Sequence, residues 1–180
     1  MALKATIFKA DLQIADMDRH YYQDHALTIA RHPSETDERM MMRVLAFVIH
    51  ANEALTFGKG LSADDEPDLW QKDLTGAVDL WIEVGQPDEK RILKACGRSA
   101  RVVVYCYSPT THIWWSQLGS RVERAKNLTV YQVPAETSQA LAALAERTMQ
   151  LQCTIQDGQI WVNSQGHTVH IELTRLLGAD

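Results

Sequence analysis

"DLWIEVGQP", residues 79–87, decides how the chain is read. With the preceding residue included, Val78, Leu80, Ile82 and Val84 alternate with Asp79, Trp81 and Glu83. That period of two places aliphatic side chains on one face of a strand and two carboxylates with an indole on the other. The strand then ends on Gly85-Gln86-Pro87. A glycine in a strand marks a bulge, and one extra residue moves the next side chain to the opposite face. The spacing therefore predicts that Gln86 joins the face of Glu83 and that Pro87 opens a helix.

Upstream, residues 68–72 read as the partner strand. A two-residue turn at Thr75-Gly76 pairs Trp70 with Trp81, sets Lys72 against Asp79 and puts Asp68 opposite Glu83. Opposed residues share a face with Cβ atoms about 5 Å apart. Two carboxylates that close repel, and protonation, a basic partner or a hard divalent cation would relieve them. Trp70 and Trp81 on the same face cover the pair in part, which favours a cation.

A third acid approaches from the helix ahead. The start at Pro33-Ser34 and the spacing of Met41, Val44, Leu45, Val48, Ile49 and Ala51 predict a helix running to about residue 55. Glu53, four residues after Ile49, continues its inward stripe; the plainer reading is a buried stem with an exposed head. Downstream, the helix over 87–98 carries Lys90, Lys94 and Arg98 at i, i+4 and i+8. That stripe is either a phosphate-holding surface beside the acids or an ordinary solvated face.

Elsewhere the patterns predict strands over 3–14 and 20–31, 100–108 and 128–134, and helices over 110–125 and 138–150. A closing hairpin pairs 151–162 with 167–173. Helix–strand alternation in the middle implies parallel pairing. The expected architecture is α/β: one mixed central sheet flanked by helices, in a single domain over 1–180.

Composition narrows the classes. The 180 residues are 46% hydrophobic, ample for a core, and the net charge of −5 offers no global attraction to nucleic acid or anionic membrane. No apolar run reaches a membrane span, and "MALKATIFKADLQIAD" does not read as a signal peptide. Cys96, Cys106 and Cys153 form no C-x-x-C pair and suit a reducing cytoplasm. The seven histidines show no zinc spacing, no serine sits in a G-x-S-x-G elbow, and "GKGLS" lacks P-loop spacing.

The block "EPDLWQKDLTGAVDLWIEVGQPDEKRILKACGRS", residues 66–99, with "FGKGLS" at 57–62 ahead of it, resembles the YaeQ family of small bacterial proteins across essentially the whole chain. The resemblance implies a restriction-endonuclease-like, or PD-(D/E)XK, core. It matches Pro67-Asp68 to the "PD", Glu83 to the second acid and Glu53 to the helix acid, with Asp68 and Glu83 as ligands of Mg2+ or Mn2+. The motif lysine falls on Gly85, a departure that leaves Gln86, Lys90 or Lys94 to take its part. The implied function is a magnesium-dependent phosphodiesterase, a nuclease acting on DNA or RNA. The alternatives are a non-catalytic nuclease-like module in transcription or repair, and a hydrolase of small phosphate esters.

Overall fold

The structure, a computed structural model, describes residues 4–178. Two mixed sheets flanked by helices replace the single sheet expected from the sequence, and the described residues divide into two compact units, 4–49 with 136–173 and 50–135 with 174–178.

In the first unit, β1 (Thr6–Asp16) and β2 (Tyr21–Arg31) form a long antiparallel hairpin. Residue 3, where the sequence pattern starts the first strand, lies outside the described residues. β1 also pairs in parallel with β8 (Thr148–Gln156), which continues through β9 (Gln159–Ser164) to β10 (His167–Glu172). One face is apolar: Phe8, Ala10, Leu12 and Ile14 on β1 are buried, as are Met149, Leu151, Cys153 and Ile155 on β8. Two sequence expectations are corrected here. The helix expected over 138–150 is confined to α4 (Ala135–Ala142), and residues 151–162 are themselves a hairpin turning at Asp157-Gly158. The alternation Met149, Leu151, Cys153, Ile155 shows period two and overrides the apparent helical stripe.

Helix α1 (Asp37–His50) stops five residues earlier than its apolar spacing suggests. Asn52 ends it, because its Oδ1 accepts from Ala54 N at 2.7 Å and its Nδ2 donates to the His50 carbonyl at 3.1 Å. This local turn offers the backbone an alternative to another helical bond.

The second unit holds a sheet ordered β11-β7-β6-β5-β4-β3. β5 (Val78–Val84), β6 (Ser99–Tyr107) and β7 (Leu128–Val133) run parallel, joined by α2 (Glu89–Arg98) and α3 (Thr111–Val122). β4 (Leu69–Lys72) and β3 (Leu55–Phe57) extend the sheet antiparallel on one side, β11 (Thr174–Leu177) on the other. The core on one face joins Trp81, Val102, Val104, Leu128 and Val130 of the strands to Ile92, Ala95, Leu118 and Val122 of the two helices. Trp114 and Trp115 are half-buried and pack against this core. None of the described helices is long and apolar enough to cross a membrane.

Candidate functional site

The expected register is present. Trp70 pairs with Trp81 and Leu69 with Ile82, so Asp68, just ahead of β4, lies opposite Glu83, and its N donates to the Ile82 carbonyl at 3.1 Å. The two tryptophan rings meet edge-on at 5.9 Å. The turn differs from the expected two-residue one. Asp73 Oδ1 accepts from Thr75 N, Thr75 Oγ1 and Ala77 N at 2.8, 2.6 and 3.0 Å, which caps a larger loop. The register shifts there, so Lys72 pairs with Val78 and not with Asp79. Lys72 instead places its Nζ over the Trp70 ring at 3.8 Å.

Both acids are buried, Asp68 to 1% exposure and Glu83 to 4%. Asp68 Oδ2 accepts from Val84 N at 2.8 Å, fixing that carboxylate across the strand pair. The "FGKGLS" loop closes on its other side. Gly58 N donates to the Asp68 carbonyl at 3.0 Å and Gly60 N to the Pro67 carbonyl at 3.1 Å. A Cβ at Gly58 would lie 2.2 Å from the Pro67 carbonyl oxygen, and one at Gly60, whose φ is +49°, would lie 2.5 Å from Asp68 Oδ1. Only glycine fits either place. The loop that failed as a phosphate cradle is the wall that holds Pro67-Asp68.

Glu83 has a basic partner. Arg91 Nε and Trp81 Nε1 each donate to Glu83 Oε1 at 2.8 Å. The rest of the guanidinium reaches the chain just before Asp68, with Nη1 3.1 Å from the Asp64 carbonyl and Nη2 2.8 Å from that of Glu66. Even so, the Glu83 carboxyl is pushed up to about 7. Burial is the main cause and the neighbouring Asp68 charge the second, and the Arg91 charge and the two hydrogen bonds only partly offset them.

The remaining predicted residues are exposed, unlike the buried acid pair. Glu53 is exposed on the turn after α1, because the helix that would have carried it inward has ended. Gly85 leaves the strand with φ +108° and donates to the Tyr105 carbonyl at 2.9 Å; Gln86 is exposed and donates to Thr110 Oγ1 at 3.2 Å. Lys90 and Lys94 lie exposed on α2, while Arg98 sets its guanidinium 5.7 Å over the Trp81 ring. None of Glu53, Gln86, Lys90 and Lys94 is among the groups that act on Glu83. Arg91 is the residue that sequence reasoning missed. Its signal was present: Asp88 caps α2 by accepting from Arg91 N at 2.8 Å, and the buried Ile92 and Ala95 share that side of the helix.

Among the described residues no group of three or more His, Cys, Asp or Glu side chains is arranged to hold a metal ion. The three cysteines are free, and burial pushes the Cys106 and Cys153 thiols up to about 12.

Comparison with known proteins gives one consistent answer. The family model described as "YaeQ protein" matches residues 1–173. The chain is 49% identical over 175 residues to the "Uncharacterized protein YaeQ" of Escherichia coli (strain K12), a match covering 97% of each chain, and equally so to that of Shigella flexneri. Its structure is similar to the crystal structures of YaeQ proteins from Xanthomonas axonopodis pv. citri and Pseudomonas syringae. The first has a TM-score of 0.93 at 46% identity, covering 97% of this chain and 99% of that one; the second has 0.94 at 36%, covering 97% of each. The chain belongs to the YaeQ family.

Proposed function

We propose that this member of the YaeQ family is a magnesium-dependent phosphodiesterase that cleaves nucleic acid, DNA or RNA, through a variant PD-(D/E)XK site on a restriction-endonuclease-like core. The observation that carries this reading is the burial of Asp68 and Glu83 from opposed positions of neighbouring strands, with Arg91 too little positive charge to hold Glu83 in the usual carboxylate range.

The donor set suits magnesium. That ion takes one or two carboxylates and completes its shell with water and phosphate oxygens. Zinc in a protein site wants three or four ligands rich in nitrogen and sulfur, which the described residues do not offer. When bound, the ion supplies charge neutralisation at the scissile phosphate and activates water. The chain's own groups prepare for it: Val84 N orients Asp68, and Trp81 Nε1 orients Glu83. Lys90 and Lys94, exposed on α2, are free to follow a phosphodiester backbone, and Gln86 lies at the exposed strand end where it would meet substrate. Three free cysteines support a cytoplasmic location.

Incubation with single- and double-stranded DNA and RNA in magnesium or manganese tests the reading. Asp68→Asn and Glu83→Gln should each abolish cleavage; activity that survives both substitutions rules the site out.

A second reading has its own support. Arg91 makes three hydrogen bonds at the site and the motif lysine position holds glycine, features of a nuclease-like fold kept as a nucleic-acid- or protein-binding module. Calorimetry that detects no binding of magnesium or manganese at millimolar concentration would favour it.

A further inference from the structure

Arg91 spans groups that would otherwise separate. Its planar fork joins the Glu83 carboxylate to the carbonyls of Asp64 and Glu66, on the segment that leads into Pro67-Asp68. The Asp88 cap fixes where α2 begins and so aims residue 91 at the acids. The two partners differ in access. The Arg91 side chain keeps 24% of its exposure and has a way out to solvent, while that of Glu83 keeps 5%.

We propose that Arg91 is a positioning residue that gates the acid pair: its guanidinium and a divalent cation occupy the Glu83 carboxylate in turn. The inference rests on the metal-binding reading above. Both cations seek one carboxylate, which the guanidinium holds through Oε1, in a nearly closed, weakly screened place, and held there together they would repel strongly. Departure of the guanidinium also breaks its bonds to the Asp64 and Glu66 carbonyls, so cation entry releases segment 61–66. The exchange is a displacement with no covalent step. Lysine cannot reproduce the gate, because an ammonium lacks the fork that reaches a carboxylate and two carbonyls at once.

The test is manganese calorimetry on the full chain, comparing wild type with Arg91→Gln and Arg91→Lys after thermal melts establish that each is folded. Arg91→Gln should bind manganese about tenfold tighter, the effect of losing one competing charge-assisted bond. Arg91→Lys should fall between the two. A protease specific for acidic residues should cut wild type within 61–66 faster when manganese is added, and Arg91→Gln equally fast without it. If wild type binds manganese and both variants bind no tighter, the gate is overturned and the metal site stands. Should no form bind manganese, the metal reading falls and takes the gate with it. Where Arg91→Gln does not fold, Arg91→Lys decides: tighter binding supports the gate, equal or weaker binding overturns it.

Discussion

The chain buries two glutamates that each meet an arginine eight residues further on, and the two pairs are built for different ends. Glu35, in the first unit, accepts from Arg43 Nε and Nη2 at 2.9 and 2.5 Å and from Arg39 Nη1 at 2.7 Å. Arg43 Nη2 also reaches the Ala30 carbonyl at 3.1 Å, tying α1 to β2. Two guanidinium groups answer one carboxylate. Glu83, in the second unit, receives a single N–H from an arginine that divides itself among three acceptors, and Asp68 adds a second negative charge beside it. A buried acid with more positive charge than it needs is a fastener. One with less is held ready for a partner, and shifted groups of that kind gather at functional sites.

The largest effect should come from unfastening the first pair. Arg43→Ala leaves Glu35 buried with Arg39 alone and should cost about 3 kcal/mol or more in urea unfolding. Glu83→Gln should behave oppositely, neutral to stabilising above pH 7; a loss as large as that of Arg43→Ala would erase the distinction.

The pH dependence sharpens the contrast. The Glu83 carboxyl rises from 4.5 unfolded to about 7 folded, so the folded state holds its proton more tightly. Its contribution is fully present below pH 4.5, declines as pH rises from 4.5 to about 7, and is gone above that. Relative to Glu83→Gln, wild type should lose about 3 kcal/mol across that window, an upper value for a shift of this size. Parallel stability curves for the two proteins would contradict the assignment.

Next in size is Gly60→Ala, whose Cβ would press on Asp68 Oδ1 from a left-handed backbone position. A cost of about 1–3 kcal/mol is expected, with a shift in the titration of Glu83. The smallest effects belong to Glu53→Ala, Lys90→Ala and Lys94→Ala. Each should leave stability within about 0.5 kcal/mol and the Glu83 titration in place, because all three side chains are exposed.

How legible this was depends on how local each cause is. The Trp70–Trp81 register and the opposition of Asp68 to Glu83 followed from pairing the two tryptophans, although the loop joining the strands is larger than the expected two-residue turn. The parallel order of β5, β6 and β7 followed from helix–strand alternation. The early end of α1 was obscured because Ile49 and Ala51 continue the apolar stripe, and only the Asn52 turn stops it. The exposure of Glu53 follows from that turn. Arg91 was hidden between Lys90 and Lys94 as one more charge on a charged helix. Its inward aim depends on where Asp88 starts the helix, and its role on carbonyls 25 and 27 residues away. The division into two sheets rests on β1 pairing in parallel with β8, across about 140 residues that no local pattern spans.

The most direct measurement is a carbon-detected NMR titration of the Glu83 side-chain carboxyl, with and without millimolar magnesium. The midpoint should lie near 7 without the ion and move lower when magnesium competes with the proton, a move that Asp68→Asn should blunt. A midpoint near 4.5 that magnesium leaves in place would contradict the account.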